Sequence, residues 1–317
     1  MNKLCSRDAP VAGQIQLSDR SVAGAQPVRC LALLLFLFPG VPAAEPLKQE
    51  GLTVELASEH ASIQPGTPFS VGMIFRHEPG FHTYWRQPGI VGLAPSLKWS
   101  LPSGFSAGDI LWPEPERVKM AKWGAWGFKR DVCLVVDIVP PPNFDPSARP
   151  TITLSAKAAW MCCSQTCHPG FADLSVTLPV AKKPPSLTAD APLFATTRAQ
   201  QPAVARDWRF TAIETADGFT LSLTPPRGVR VPEDAYFFGF ARLVDSHAPQ
   251  TGRLQKDGSL ALDLKLTEVP EKDVTSLEGL VWSAKGWPLD AGQPAGAAKS
   301  SSPAKRTLLV RAPLIPR

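Results

Sequence analysis

The stretch Thr151–Gly170, TITLSAKAAWMCCSQTCHPG, joins a strand pattern to a dense group of cysteines. Every second residue from Ile152 to Trp160 is apolar. Because successive side chains of a strand point to opposite faces, this period of two predicts a strand with one buried face. Three of the six cysteines of the 317-residue chain follow within six positions. Thiol chemistry is therefore the first functional hypothesis.

The same alternation recurs on both sides of this stretch. It is found at residues 52–56, 69–75, 97–101, 132–138 and 174–180, and proline or glycine closes each segment. The chain has 34 prolines, which exclude long helices and favour turns. Short strands separated by turns predict an all-β fold, with an immunoglobulin-like antiparallel β-sandwich over residues 45–181.

A second, smaller β-sandwich domain is predicted for residues 206–317. Residues 182–205 lose the alternation and are interpreted as a linker, with a short helix around 191–198. Beyond them, Asp217-Gly218 and Asp257-Gly258 precede new alternating segments and are typical of hairpin turns. A segment rich in Gly, Ala, Ser and Pro at 290–305 predicts a mobile loop before a last strand.

The amino-terminal segment has the pattern of a signal peptide. The apolar run at 31–38, LALLLFLF, follows Arg29 and ends before Pro39-Gly40. Eight residues are too few to span a bilayer, and small residues around Ala43 suit a signal peptidase. We therefore expect residues 1–44 to be a signal peptide and the mature chain to be periplasmic, without a membrane span.

Charge excludes one class of partner. The net charge is +5, and the leader accounts for two of these charges because it holds four basic and two acidic residues. The remaining three are spread over the mature chain, which is not the pattern of a nucleic-acid-binding protein.

Geometry limits what the cysteine cluster can do. In an extended strand the Cα atoms of Cys163 and Cys167 would lie about 13 Å apart, beyond the reach of a disulfide. Ser164-Gln165-Thr166 must therefore turn if the two are to bond. We expect the cluster to lie on an accessible bent connection at a sheet edge. Cys162 could pair with Cys167 instead or act as an accessory thiol.

Three interpretations of the cluster stay open from the residues alone. The cysteines could form a structural disulfide, although so short a loop removes little chain entropy. They could exchange disulfides, with His168 or Lys157 favouring a thiolate. They could also bind Cu(I) or zinc through Cys162, Cys163, Cys167 and His168, as a copper-tolerance protein would. Cys133, in an apolar strand, is expected to be a buried free thiol.

Aromatic residues suggest a cap or a binding surface. Trp123, Trp126 and Phe128 lie in a glycine-containing stretch that also follows Trp112. This stretch could cover the cysteines or dock a partner, or its rings could belong to the core. Exposed rings would alternatively indicate a non-catalytic module that binds carbohydrate or protein, with a structural disulfide.

Several motifs, in order, resemble a known family. The cysteine motif from Trp160 to Gly170, the segment GFHTYWRQPG at 80–89 and the segment LWPEPER at 111–117 resemble the amino-terminal domain of DsbD-type thiol:disulfide interchange proteins, including the ScsB group. The resemblance covers most of residues 50–181. It implies an immunoglobulin-like periplasmic domain in which Cys163 and Cys167 form the redox pair.

The resemblance also implies partners. Full-length family members continue into a membrane domain and a thioredoxin-like domain, which are not found in this sequence. We therefore expect periplasmic thiol-disulfide proteins and a membrane electron donor to act in trans, with no cofactor required. Cys162 stands where the family has an aliphatic residue, so its role is open.

Overall fold

The computed structural model describes residues 45–142, 149–289 and 305–317. The predicted signal peptide and the predicted mobile loop, apart from Lys305, lie outside the described residues. The described elements are, in order, β1 Leu47–Gln49, β2 Leu52–Ser58, β3 Phe69–His77, β4 Thr83–Gly89, β5 Ser96–Ser100, β6 Ser106–Leu111, β7 Glu116–Met120, β8 Trp123–Phe128, β9 Val132–Val139, β10 Thr151–Cys163, β11 Cys167–Pro179, α1 Ala191–Ala199, β12 Arg209–Glu214, β13 Gly218–Thr224, β14 Tyr236–Gly239, β15 Thr251–Leu254, β16 Leu260–Lys265, β17 Ser276–Trp282 and β18 Thr307–Ile315.

Two sheets form the immunoglobulin-like sandwich of the first half. One has the strand order β1-β2-β3-β9-β6 and the other the order β11-β10-β5. The even-numbered residues of β10 are buried from Ile152 to Trp160, as the alternation predicts. Ile152 and Leu154 pack against Val71 and Val136 of the facing sheet. The predicted all-β fold is therefore confirmed.

A small third sheet, β4-β8-β7, lies beside the end of the sandwich. Its β7–β8 part is a hairpin in which Glu116 pairs with Gly127 and Met120 with Trp123. This sheet matters for the candidate site because residues of all three strands pack against Cys163.

The strands of the second half form one sheet of the order β14-β17-β18-β12-β13-β16-β15. Two antiparallel groups are joined by a short parallel pairing between β12 and β18, at Ala212 with Leu314 and Ile213 with Ile315. Aromatic residues connect this half to the first. Trp126 packs edge-on against Phe238, with ring centroids 5.6 Å apart.

The predicted helix exists as α1 and packs against the outer face of β9. Phe194 is fully buried beside Cys133, and the Thr197 hydroxyl donates to the Cys133 carbonyl at 2.8 Å. Cys133 is a buried free thiol, as predicted, and burial raises its pKa far above the usual range. Along the described residues no helix has the length and apolar character needed to cross a bilayer.

Candidate functional site

Cys163 and Cys167 form a disulfide at the tip of the β10–β11 hairpin. The two residues are register partners, and the Ser164 N–H donates to the Thr166 carbonyl at 2.9 Å to close the loop. Their Cα atoms lie 4.2 Å apart. Antiparallel partners that share no backbone hydrogen bond approach to about this distance, so the hairpin itself brings the sulfurs together. The turn required at Ser164-Gln165-Thr166 is therefore present.

Cys163 directs its backbone hydrogen bonds away from the hairpin partner. Its N–H donates to the His82 carbonyl at 2.9 Å, and the His82 N–H donates to the Cys163 carbonyl at 3.0 Å. The residues leading into β4 are thereby fixed beside the disulfide. Nothing local to the cysteine motif predicts this contact, because the two residues are far apart in sequence.

The Cys163 side chain is fully buried, so the expectation of an accessible pair is wrong for this residue. Tyr84 of β4, Val118 of β7 and Ala125 of β8 pack around it. Cys167 is only partly buried. The disulfide therefore presents one protected sulfur and one sulfur near solvent.

The β7–β8 hairpin that covers Cys163 is held in place by the second half of the chain. Ser246 Oγ donates to the Gly124 carbonyl at 2.8 Å and accepts from the Ile90 N–H at 3.0 Å. His247 Nδ1 accepts from the Gly124 N–H at 3.1 Å. A Cβ atom on Gly124 would lie 2.9 Å from the Ser246 carbonyl oxygen, so the close approach requires glycine.

Tyr84 places a hydrogen-bond donor on the buried sulfur. Its hydroxyl donates to Cys163 Sγ at 3.1 Å, and burial raises its pKa to about 12. The hydroxyl therefore keeps its proton at neutral pH. His82 lies beside Tyr84, with ring centroids 5.3 Å apart, and burial lowers its pKa to about 4, so its imidazole is neutral.

Cys162 lies on the opposite face of the hairpin from the disulfide. It is fully buried and free, and burial raises its pKa to about 11. His168 is its register partner and shares that face. Since adjacent strand residues alternate between faces, Cys162 and His168 point away from the bonded sulfurs. No group of three or more His, Cys, Asp or Glu suited to a metal ion is found among the residues that the structure describes.

Lys157 is too far from Cys163 to favour a thiolate there, so that expectation is wrong. Lys157 lies six residues before Cys163 on β10, which is about 20 Å along an extended strand. The His168 ring contacts the Thr166 hydroxyl at 3.0 Å and the Glu50 carboxylate at 3.5 Å.

Trp160 and Gly170, which frame the cysteine motif, have a structural role. They are register partners, and a Cβ atom on Gly170 would overlap the Trp160 ring. Trp160 Nε1 donates to Gln49 Oε1 at 3.0 Å, and Gln49 Nε2 donates to the His168 carbonyl at 2.9 Å. These contacts fix the end of the hairpin.

The aromatic residues predicted as a cap occupy different environments. Trp126 and Phe128 are fully buried in the core, whereas Trp123 is 40% exposed and lies edge-on to His247. The hairpin that carries them does cover Cys163, but through Val118 and Ala125. The buried rings cannot serve as the exposed surface of a carbohydrate-binding module.

Sequence reasoning missed Tyr84, His82 and Val118 as neighbours of the disulfide. The first two lie in the segment 80–89, whose resemblance to a known domain was the available signal. No feature of the sequence marks Val118 as a neighbour of the disulfide, because a valine in a strand is typical of any protein core.

Known proteins resemble this chain in sequence and in fold. Residues 49–179 match the family model described as thiol:disulfide interchange protein DsbD, N-terminal. The crystal structure of the N-terminal periplasmic domain of ScsB from Proteus mirabilis aligns with a TM-score of 0.53 and 18% identity, over 86% of this chain and 98% of that one. A structure of mouse clustered PcdhgC3 EC1-3 aligns with a TM-score of only 0.18 and 11% identity, over 83% of this chain and 68% of that one, and carries no argument. No curated protein matches the sequence.

Residues 49–179 therefore match the DsbD amino-terminal domain family, as the resemblance predicted, and the chain has a fold similar to that of the ScsB domain. Domains of this type belong to thiol:disulfide interchange proteins, and the Cys163–Cys167 disulfide lies inside the matched range.

Proposed function

We propose that this protein is a periplasmic thiol-disulfide interchange protein that passes electrons to or from partner proteins through Cys163 and Cys167. The observation that carries the proposal is a disulfide with one buried and one partly exposed sulfur, in a domain of the DsbD/ScsB type. The periplasmic location rests on the described location of the ScsB domain. A membrane electron donor and periplasmic thiol-disulfide proteins would act as separate partners.

The unequal burial of the two sulfurs supports a division of roles between them. A partner thiolate attacks Sγ of Cys167, the disulfide breaks, and Cys163 leaves as a thiolate. The Tyr84 hydroxyl, 3.1 Å from Cys163 Sγ, donates to this thiolate and stabilises it. A second partner thiol then attacks the partner sulfur of the mixed disulfide and releases Cys167. The partner leaves with a disulfide, and this protein has gained two electrons and two protons. In the reverse direction, Cys167 attacks the partner's disulfide and Cys163 resolves the intermediate.

The midpoint potential of the pair tests the proposal. Metal-free protein is equilibrated in graded glutathione buffers, and mass spectrometry locates the alkylated cysteines. A value between about −270 and −120 mV, the range of exchange-active proteins, is expected. A value below about −300 mV would indicate a structural bridge and contradict the proposal.

Trapping with single-cysteine variants tests the roles. Cys163→Ser leaves the partly exposed Cys167 and should accumulate mixed disulfides with partners. Cys167→Ser leaves a buried thiol and should accumulate far fewer. Equal trapping by both variants would contradict the assignment. A binding module would instead keep its ligand binding when both cysteines are serine.

A further inference from the structure

A small cavity opens next to the disulfide, between β7 and the residues that lead into β4. It has a volume of about 350 Å³ and is lined by Phe81, His82, Arg117, Val118, Lys119 and Lys129, together with Gly80. We call it the basic groove. Two of its lining residues touch the redox pair directly, because His82 shares both backbone hydrogen bonds with Cys163 and Val118 packs against the Cys163 side chain. A molecule seated in the groove is therefore adjacent to the disulfide.

The side chains of the groove carry one sign of charge. Arg117, Lys119 and Lys129 are all exposed, and none of the lining residues is acidic. Among the described residues no ion pair involves any of these three cations, whereas the neighbouring Arg130 binds Glu116. Arg117 makes a cation–π contact with Tyr236, with its guanidinium 4.9 Å from the ring centroid.

The alternation of side chains along β7 explains why one strand both covers Cys163 and carries positive charge. Val118 and Met120 point inward and pack around Cys163, so Arg117 and Lys119 must point outward. The strand that shields the buried sulfur therefore presents positive charge at its outer surface. Like charges that share a groove with no acidic side chain in its lining favour an anionic ligand there.

We propose that the basic groove receives an acidic segment of the thiol-disulfide partner and so orients the partner's cysteine on Cys167. This inference rests on the proposed exchange function. A protein is favoured over a nucleic acid because the groove adjoins the disulfide, so its occupant must carry sulfur close to its negative charges. Complementary charge would raise the association rate and select the correct partner.

Three peptides of equal length test the groove. Each has one cysteine, protected as a mixed disulfide with thionitrobenzoate, flanked by Asp and Glu, by Asn and Gln, or by Lys and Arg. Reduced protein attacks the peptide's disulfide through Cys167, thionitrobenzoate leaves as a thiolate, and Cys163 then displaces the peptide thiol. The protein ends oxidised, and two thiols are released for each disulfide consumed. Absorbance of thionitrobenzoate gives the rate.

The acidic peptide should react about tenfold faster than the basic peptide at low salt, within the range that electrostatic steering gives. The preference should fall towards one at 1 M salt, where the Debye length shrinks to about 3 Å. Arg117→Glu/Lys119→Glu/Lys129→Glu should lose or invert the preference, and the corresponding Gln variant should bring it close to one. The ratio of two peptide rates on the same protein cancels any change in the intrinsic reactivity of the cysteines.

A matched control reverses three other exposed cations. Arg230→Glu/Lys256→Glu/Lys272→Glu makes the same change in net charge within the second half of the chain and should keep the tenfold preference. Equal rates for the acidic and basic peptides, or an equal loss of the rate preference in the control variant, would overturn the proposed role of the groove. The proposed exchange function would not be affected. Failure of reduced wild-type protein to react with neutral dipyridyl disulfide would instead overturn the exchange function, and this inference with it. Competition by single-stranded DNA but not by the free acidic peptide would show that the groove binds nucleic acid, and this result would also overturn the proposal.

Discussion

Replacing Tyr84 by phenylalanine should make the redox pair more reducing. The hydroxyl donates to Cys163 Sγ at 3.1 Å, and Tyr84 is fully buried, so solvent does not replace the lost hydrogen bond. Phenylalanine keeps the ring and its packing and removes only the donor. The change therefore isolates one hydrogen bond.

The size of the effect follows from the charge of the reduced sulfur. A hydrogen bond to a charged group is worth about 1.5–3 kcal/mol, whereas a disulfide sulfur is a weak acceptor. Losing the donor should therefore destabilise the Cys163 thiolate and raise the pKa of that thiol. At a pH where Cys163 is a thiolate, the reduced form loses this stabilisation and the midpoint potential falls by about 30–60 mV. At lower pH, where the reduced form is a thiol, the fall should shrink.

Two measurements check this expectation. The pH dependence of alkylation of reduced protein gives the thiol pKa, and glutathione equilibration at pH 7 and pH 9 gives the potential. The chain's other tyrosine supplies the control, since the buried Tyr236 hydroxyl accepts from Trp126 Nε1 at 3.1 Å and lies outside the disulfide's surroundings. Tyr236→Phe should leave the pKa and potential unchanged. If Tyr84→Phe also leaves both unchanged, the hydroxyl does not stabilise the thiolate and the assigned role is refuted.

Removing the Ser246 hydroxyl should loosen the β7–β8 hairpin over the disulfide, because it breaks two hydrogen bonds to the backbone that are together worth about 1–3 kcal/mol. Amide hydrogen exchange in residues 116–128 should then accelerate roughly tenfold or more. The control Ser283→Ala, which removes a buried hydroxyl elsewhere, should leave that exchange unchanged. Equal acceleration in the Ser246 and Ser283 variants would show that the Ser246 hydrogen bonds do not hold the hairpin locally. Gly170→Ala should destabilise the protein by about 2 kcal/mol or more in denaturant unfolding, because the added Cβ atom overlaps the buried Trp160 ring. The control Gly108→Ala, whose added Cβ atom would lie 3.5 Å from the nearest atom, should cost less than about 1 kcal/mol. His82 has its folded-state pKa lowered to about 4, so the folded state binds fewer protons than the unfolded state between pH 6.5 and 4, and stability is lost as the pH falls through that window. From pH 7.5 to 5 this loss is about 2 kcal/mol at His82, and His82→Gln should remove that part of the pH dependence; an unaltered pH profile would show that the imidazole is not held neutral.

Local patterns were sufficient for much of the fold. The period of two at residues 152–160 predicted the buried face of β10. The loss of alternation over residues 182–205 was interpreted as a linker with a short helix around 191–198, and α1 is that helix. The burial of Cys133 also followed from its apolar strand. These features depend on residues within one strand or helix, so their periodicity is visible in the sequence.

The cysteine pair was only partly predictable. The spacing of Cys163 and Cys167 required a turn if they were to bond, and the hairpin supplies it. The same spacing was compatible with a pairing of Cys162. Strand alternation decides against that pairing once the hairpin register is known, because Cys162 then points to the opposite face.

The sequence by itself determined several strands of the sandwich, the need for a turn if Cys163 and Cys167 bond, and the similarity of residues 49–179 to the DsbD amino-terminal domain. Only the tertiary structure decided which sulfur is buried, which side chain donates to it and what holds its cover. Tyr84 and Val118 lie 79 and 45 residues from Cys163 in strands that pair with other partners, and Ser246 lies 83 residues away in the connection between β14 and β15. Contacts of that kind arise from the packing of whole sheets, and no local periodicity records them.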